Sequence, residues 1–335
     1  MPEFDSHRVA PIAHRSPARS ARERGGKRPL LPILFCLMLT FLGGPALGLH
    51  AADILVADSK VVKVAGDCKF TEGPAVDPAG NLYFSDRPND RVLKLTPSAR
   101  VEVHLQPAGG ANGLILDRSG RLVLCQYGKK RVSRLEADGT ETVLADAYEG
   151  EPLIGPNDLC ADNLGRIYFT DPYYGPEEER HEYTPAVYRI DRPGEVARLV
   201  VSLLKPNGIL ITPNNRTVYV SDRGTQKLHR FEVLPGGGLT PDGIVYDFSP
   251  DRGIDGMCLD IHGNIYAAAG EGATTGLFVV SPGGKLLLNK PMPEFSTNVT
   301  FGGPEGRHLY LTATTSVYRL RTVHPGIVWP AAYVD

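Results

Sequence analysis

The sequence predicts an all-β chain folded as a six-bladed β-propeller. Three observations carry that prediction. One short phrase recurs six times, each copy leads into an alternating apolar run, and no long window has the period of an amphipathic helix. Of the 335 residues, 42% are hydrophobic and 22% charged, so the chain can bury a large core. The 37 Gly and 28 Pro point to many turns.

The phrase begins at Glu72, Asn112, Asn157, Asn207, Asp255 and Asn298, at intervals of 40 to 50 residues. It reads Glu72-Gly-Pro-Ala-Val-Asp77 in the first copy and Asn112-Gly-Leu-Ile-Leu-Asp117 in the second. A tight turn follows, with Gly80, Gly120, Gly165, Gly263 and Gly306 at one position and Asn215 in the fourth copy. Asp supplies local hydrogen bonds there and Gly tolerates positive φ. Second strands start at Leu82, Leu122, Ile167, Val218, Ile265 and Leu309, and third strands include Arg91–Leu95, Arg131–Leu135 and Lys227–Phe231. Four short strands repeated six times make a propeller. A large β-sandwich is the competing all-β architecture, but it does not explain six copies in register. The segment Val61–Val64 alternates and is available as the missing strand of the last blade.

Residues 1–52 read differently. Arg8, Arg15, Arg19, Arg22, Arg24, Lys27 and Arg28 precede the apolar run Leu30–Leu42, and small residues follow. This is the pattern of an export signal, and the run is too short for an ordinary membrane span. The expectation is an exported, periplasmic or secreted protein with no stable membrane insertion after cleavage. Residues 53–325 form the propeller and 326–335 a C-terminal tail, with Trp329 packing outside. The net charge of −2 argues against a nucleic-acid partner held by bulk positive charge. Cys68, Cys125, Cys160 and Cys258 have no C-x-x-C spacing and apolar neighbours, which reads as buried thiols. The oligomeric state is not legible.

The first strand of each propeller blade lines the central channel, so residues at one register form a ring. Here the ring is Glu72, Asn112, Asn157, Asn207, Asp255 and Asn298, all bearing side-chain oxygen. Turn or strand-entry preference is the alternative account, and it covers the Asn-Gly copies better than Glu72. Two carboxylates with several amide oxygens, and no His or Cys, suit a hard divalent cation, Ca²⁺ above others. No Gly-x-Ser-x-Gly, His-x-x-x-His or Gly-rich phosphate loop competes.

The chain resembles the senescence-marker-protein/gluconolactonase/luciferin-regenerating-enzyme family over about residues 66–322. The likeness rests on Phe70-Thr-Glu-Gly-Pro74, Ala111-Asn-Gly-Leu114, Pro156-Asn-Asp-Leu159, Ile167-Tyr-Phe-Thr-Asp-Pro-Tyr-Tyr-Gly175, Pro206-Asn-Gly-Ile209 and Asp255-Gly-Met257. The resemblance implies a divalent metal held by Glu72, Asn157, Asn207 and Asp255, and hydrolysis of a small sugar lactone. Asp255 is then the candidate general base, with Glu72 second. Asn112 and Asn298 are candidates for substrate hydroxyls, and Tyr127, Asp171 and Tyr174 for the pocket wall. Strand-end hydrogen bonding is the commoner role for Asp86, Asp171 and Asp222.

Two departures from the family stand out. Gly155 replaces an arginine found two positions before the Asn matching Asn157. Cys125-Gln126-Tyr127-Gly128 replaces Cys-Glu-His-Gly, which is expected to remove a carboxylate and an imidazole near the pocket rim. A non-catalytic propeller that binds ligands or proteins, or one hydrolysing other esters or phosphotriesters, stays open beside the lactonase.

Overall fold

The computed structural model describes residues 54–328. The proposed export signal of residues 1–52 and Trp329 lie outside the described residues. Six four-stranded antiparallel sheets follow one another along the chain. Their innermost strands are Thr71–Val76, Ala111–Leu116, Leu159–Ala161, Pro206–Ile211, Met257–Leu259 and Ser296–Gly302. Each predicted second strand is present, from Leu82–Asp86 in blade 1 to His308–Ala313 in blade 6.

The turn chemistry is as read from the sequence. Gly80, Gly120, Gly165, Gly263 and Gly306 all have positive φ, and Asn215 takes the same left-handed conformation at φ 54°. The preceding Asp closes the turn: Asn81 N–H donates to Asp77 Oδ1 at 2.8 Å and Arg166 N–H to Asp162 Oδ1 at 2.9 Å.

Burial explains the layering. Second strands such as Leu82–Asp86 and Ile265–Ala269 are buried throughout, because both faces of a blade pack on neighbouring blades. The outer strand Val101–Leu105 is largely exposed. The core is divided among six clusters, one between each pair of successive blades. Ala75, Tyr83, Leu114 and Leu124 join blades 1 and 2, for example, and Phe84, Leu93, Tyr310 and Val317 join blade 1 to blade 6. That last cluster closes the circle, which a sandwich would lack.

The N-terminal strand Val62–Ala65 pairs antiparallel with Val317–Arg321, Val62 opposite Arg319, and completes blade 6. Ile54 is fully buried in the cluster between blades 5 and 6. At the far end of the chain, Ile327 N–H donates to Leu259 O at 2.8 Å. Ile327 and Val328 stand at a cavity of about 130 Å³ lined by Val76, Leu116, Ile211, Leu259 and Phe301 from the inner strands. The first tail residues therefore pack on the propeller, whose packed chain runs to Val328 rather than stopping at 325.

Closure by the N-terminal segment gives a direct test. Ile54→Ala is expected to lower stability by about 2–5 kcal/mol, the range for a buried large-to-small change, read as a fall in the denaturant midpoint at unchanged slope. A change below about 0.5 kcal/mol would mean that the segment does not hold the last blade.

Candidate metal and substrate site

The six ring residues are all buried at the channel. They stand where the inner strands lose regular pairing with their neighbours. Pairing is irregular between Glu72 and Ala75, Ala111 and Leu114, Pro206 and Ile209, and Ser296 and Asn298. Such bulges re-aim side chains. The turn or strand-entry account of the Asn-Gly pairs is thereby replaced by a packing one. A Cβ on Gly73 would stand 2.2 Å from Asn112 O, one on Gly113 2.7 Å from Asn157 O, and one on Gly208 2.2 Å from Asp255 O. One on Gly256 would stand 1.9 Å from Asn298 Cγ. Each glycine lets the next blade's ring residue come close.

The side chains meet. Asn298 Nδ2 donates to Glu72 Oε2 at 3.3 Å and to Asp158 Oδ2 at 3.4 Å, joining blades 6, 1 and 3. Blades 6 and 3 lie on opposite sides of a six-membered ring, so this contact spans the channel. Asn112 Nδ2 donates to Asn157 O at 3.0 Å, and Asn207 Nδ2 to Tyr174 Oη at 2.6 Å. Asp255 Oδ2 accepts from Arg252 at 3.1 Å and from Arg223 at 3.4 Å.

Three of these residues lay outside the sequence reading. Asp158 occupies the position that is Gly in four other copies, and its carboxylate enters the channel; the broken Asn-Gly pattern was the available signal. Arg252 is buried over the Phe295 ring at 3.9 Å and donates to Ser296 O at 2.7 Å. Arg223 comes from the loop after the second strand of blade 4. Cations therefore do stand at the mouth, although Gly155 lacks the expected one. No local motif marks either arginine.

Other expectations are corrected. Asp171 is not part of the pocket wall: its two oxygens accept from Ile154 N–H at 2.9 Å and Gly155 N–H at 2.7 Å, fastening the segment that leads to Asn157. Asp86 and Asp222 fasten the equivalent segments of blades 1 and 4. Gln126 is the blade 2 counterpart and donates to Ala108 O at 2.9 Å, so this position is a strand-end tie and not a rim position. Asn298 is largely engaged within the protein, since its Oδ1 also accepts from Val299 N–H at 2.8 Å. Tyr127 is half-buried beside Gly155, where a Cβ would stand 2.6 Å from its ring. Tyr174 reaches the ring through Asn207. The four cysteines in the described residues are free thiols.

Electrostatically the centre is strained. Burial, then repulsion from Asp255 and Asp158, pushes the Glu72 carboxyl up to about 8. Burial pushes Asp158 to about 7, opposed by the Leu159 N–H and the Asn298 amide, with Asp255 adding repulsion. Burial also raises Tyr174. Their mutual repulsion is of the kind a bound cation would offset.

The donor chemistry fits one. The buried oxygens Asn112 Oδ1 and Asn157 Oδ1 have no hydrogen-bond partner. Asn207 is engaged through its nitrogen, which leaves its amide oxygen for the channel. Among the described residues no three His, Cys, Asp or Glu side chains form a metal cluster by themselves. The set is instead carboxylate plus amide oxygen, the donors hard divalent cations prefer.

The SMP-30/Gluconolactonase/LRE-like region model matches residues 70–315. The chain belongs to this family. It is 29% identical over 301 residues to a gluconolactonase of Zymomonas mobilis, covering 80% of this chain and 83% of that one. A solved gluconolactonase structure from Xanthomonas campestris superposes with TM-score 0.73 at 29% identity, covering 81% of this chain and 92% of that one. A calcium-binding regucalcin of Agrobacterium tumefaciens shares the fold at 19% identity and TM-score 0.66, covering 80% of this chain and 96% of that one.

The raised carboxyls set the direction of a pH effect. Glu72 and Asp158 hold protons more tightly folded than unfolded. Their contribution to stability is present below the ordinary value of 4.5 for Glu and 3.8 for Asp and is lost as pH rises through about 7 to 8. The metal-free propeller is expected to lose melting temperature between about pH 5 and pH 8, with Glu72→Gln flattening the slope. A wild-type melting temperature that rises across that window in chelator would contradict the clustering.

Proposed function

We propose that the protein hydrolyses a sugar lactone, gluconolactone-like, at a divalent cation in the channel mouth, with Ca²⁺ the best match. The observation that carries this reading is the convergence of Glu72, Asp158 and Asn298 from three blades beside the partnerless oxygen of Asn157. The gluconolactonase relatives and family membership support the reaction class.

Glu72, Asn157, Asn207 and Asp255 would hold the cation, with Asn112 Oδ1 the further available oxygen. When bound, a divalent cation supplies Lewis-acid polarisation of a carbonyl oxygen. The chain's residues do the rest. Arg223 and Arg252 pin Asp255 through Oδ2. Its Oδ1 would then serve both the cation and the attacking water, whose proton it takes as the new C–O bond forms. The ring C–O bond then breaks and the freed alkoxide takes that proton from Asp255, giving the open hydroxy acid and restoring the carboxylate. Asn298 holds Glu72 and Asp158 apart, and Tyr174 orients Asn207. A lactone is a reactive ester, so one positioned carboxylate is a sufficient base.

The family spans more than one activity by name, so ester and phosphotriester substrates belong in the same assay. Exported localisation stays part of the proposal, on residues 1–52 alone.

Purified protein is expected to open glucono-1,5-lactone, to lose activity in chelator and to regain it with Ca²⁺. Asp255→Ala and Glu72→Ala are each expected to lower kcat/KM by about 100-fold or more while circular dichroism stays unchanged. Turnover that survives both substitutions would remove the ring from the chemistry. Metal binding without turnover of any lactone or ester would favour the binding-propeller reading.

A further inference from the structure

The catalytic ring leaves one group at the mouth without a role. Arg87 follows the strand-end Asp86 of blade 1, and its guanidinium carbon lies 4.8 Å from the centroid of the Tyr127 ring in blade 2. Among the described residues it has no carboxylate partner and its side chain makes no hydrogen bond. Its neighbours contrast with it. Arg91 is paired with Asp86 at 2.8 Å, and Arg223 and Arg252 are both paired with Asp255.

The mounting of Arg87 is specific. Stacking uses the flat face of a guanidinium and leaves its in-plane N–H fork free for a planar or tetrahedral anion. The Tyr127 ring is itself seated against Gly155, two residues before Asn157. Any side chain at 155 would displace it, so the glycine and the tyrosine act as a pair. Arg87 is thus carried towards the segment that leads into Asn157. A groove lined by Phe70, Arg87, Pro88, Gly110, Tyr127 and Gly128 runs beside it.

A second cation stacks on a tyrosine between blades 3 and 4. Lys205 Nζ lies 5.3 Å from the centroid of the Tyr174 ring, and the Tyr174 hydroxyl accepts from Asn207. Lys205 also has no carboxylate partner among the described residues. Two cations on tyrosine platforms, one platform bonded to Asn207 and the other seated against the residue two before Asn157, exceed what a neutral sugar needs. Hydroxyls can be bound by amides and backbone groups without leaving charge uncompensated.

We propose that Arg87, mounted on Tyr127, is a specificity-determining residue that receives an anionic substituent, carboxylate or phosphate, carried by the substrate lactone away from its reacting carbonyl. The inference rests on the lactonase reading for its substrate class. A fork-shaped cation pairs with either anion through two parallel N–H donors, which a lysine cannot reproduce.

The test compares glucono-1,5-lactone, which is neutral, with glucaro-1,4-lactone and 6-phosphoglucono-1,5-lactone. Wild type is expected to favour one of the charged lactones in kcat/KM by about tenfold, the worth of one charge-assisted pair. Arg87→Gln should erase that preference through KM and change the neutral substrate less than about twofold. Arg87→Lys should recover only part. Whichever charged lactone is favoured identifies the anion. Calorimetry with glucarate and 6-phosphogluconate on the Ca²⁺-loaded protein separates this claim from the reaction. Binding weakened about tenfold in Arg87→Gln supports the anion arm even where no lactone is turned over, an outcome that overturns the lactonase reading alone. A wild type that prefers the neutral lactone, an equal loss on all three substrates, or calorimetric affinity indifferent to Arg87→Gln overturns the proposal.

Discussion

Close approach of six inner strands around one axis is the constraint on which the rest of this molecule depends. Gly73, Gly113, Gly208 and Gly256 stand where a single Cβ would strike the ring residue of the next blade. A missing side chain at each of these places is what lets Asn112, Asn157, Asp255 and Asn298 approach the neighbouring blade. The same closeness explains the burial that raises Glu72 and Asp158. Packing and electrostatics are therefore one problem here. The blades can pack tightly only if the polar ring at their centre is satisfied, and the ring forms only if they pack tightly.

Satisfaction comes from outside the ring as much as from within it. Ser85 Oγ donates to Asn112 O at 2.9 Å, Thr170 Oγ1 to Asn207 O at 2.7 Å, and Ser221 Oγ to Ile254 O at 2.5 Å. Each hydroxyl belongs to the second strand of one blade and holds the inner strand of the next, or in the case of Ser221 the segment leading into it. The aspartates after them, Asp86, Asp171 and Asp222, hold the segments leading into the inner strands of their own blades. Two successive residues at each of these strand ends thus serve two blades. Carboxylate repulsion in the middle is offset by Arg252 and Arg223 on Asp255 and by the shared amide of Asn298. Burying charges is tolerable only with such partners.

Function follows from the asymmetry laid over this sixfold plan. The channel is polar where the ring stands and apolar further along, where Val76, Leu116, Leu259 and Phe301 line the cavity beside Ile327 and Val328. A cation or substrate would be held at the polar end, because there the inner strands carry carboxylate and amide oxygens. Individual blades then depart from the repeat: Asp158 adds a carboxylate, Tyr174 reaches in from blade 3, and Arg87 rides on Tyr127.

The sequence by itself determined the repeat, the turn positions, the closing strand near residues 61–65 and the six ring residues, because each depends on local spacing that recurs six times. Register within a repeated strand is a local property, so Glu72 and Asn298 could be aligned although 226 residues separate them. Only the tertiary structure decided which side chains serve the centre from outside the repeat. Arg252 and Arg223 lie in loops with no shared motif. Asp171 and Gln126 occupy matching strand ends whose direction no sequence pattern reports. Tyr127 gains its meaning from Gly155 and Arg87, residues of two other blades. Contacts between blades depend on where each sheet's edge falls in space, and that is set by how the whole ring closes.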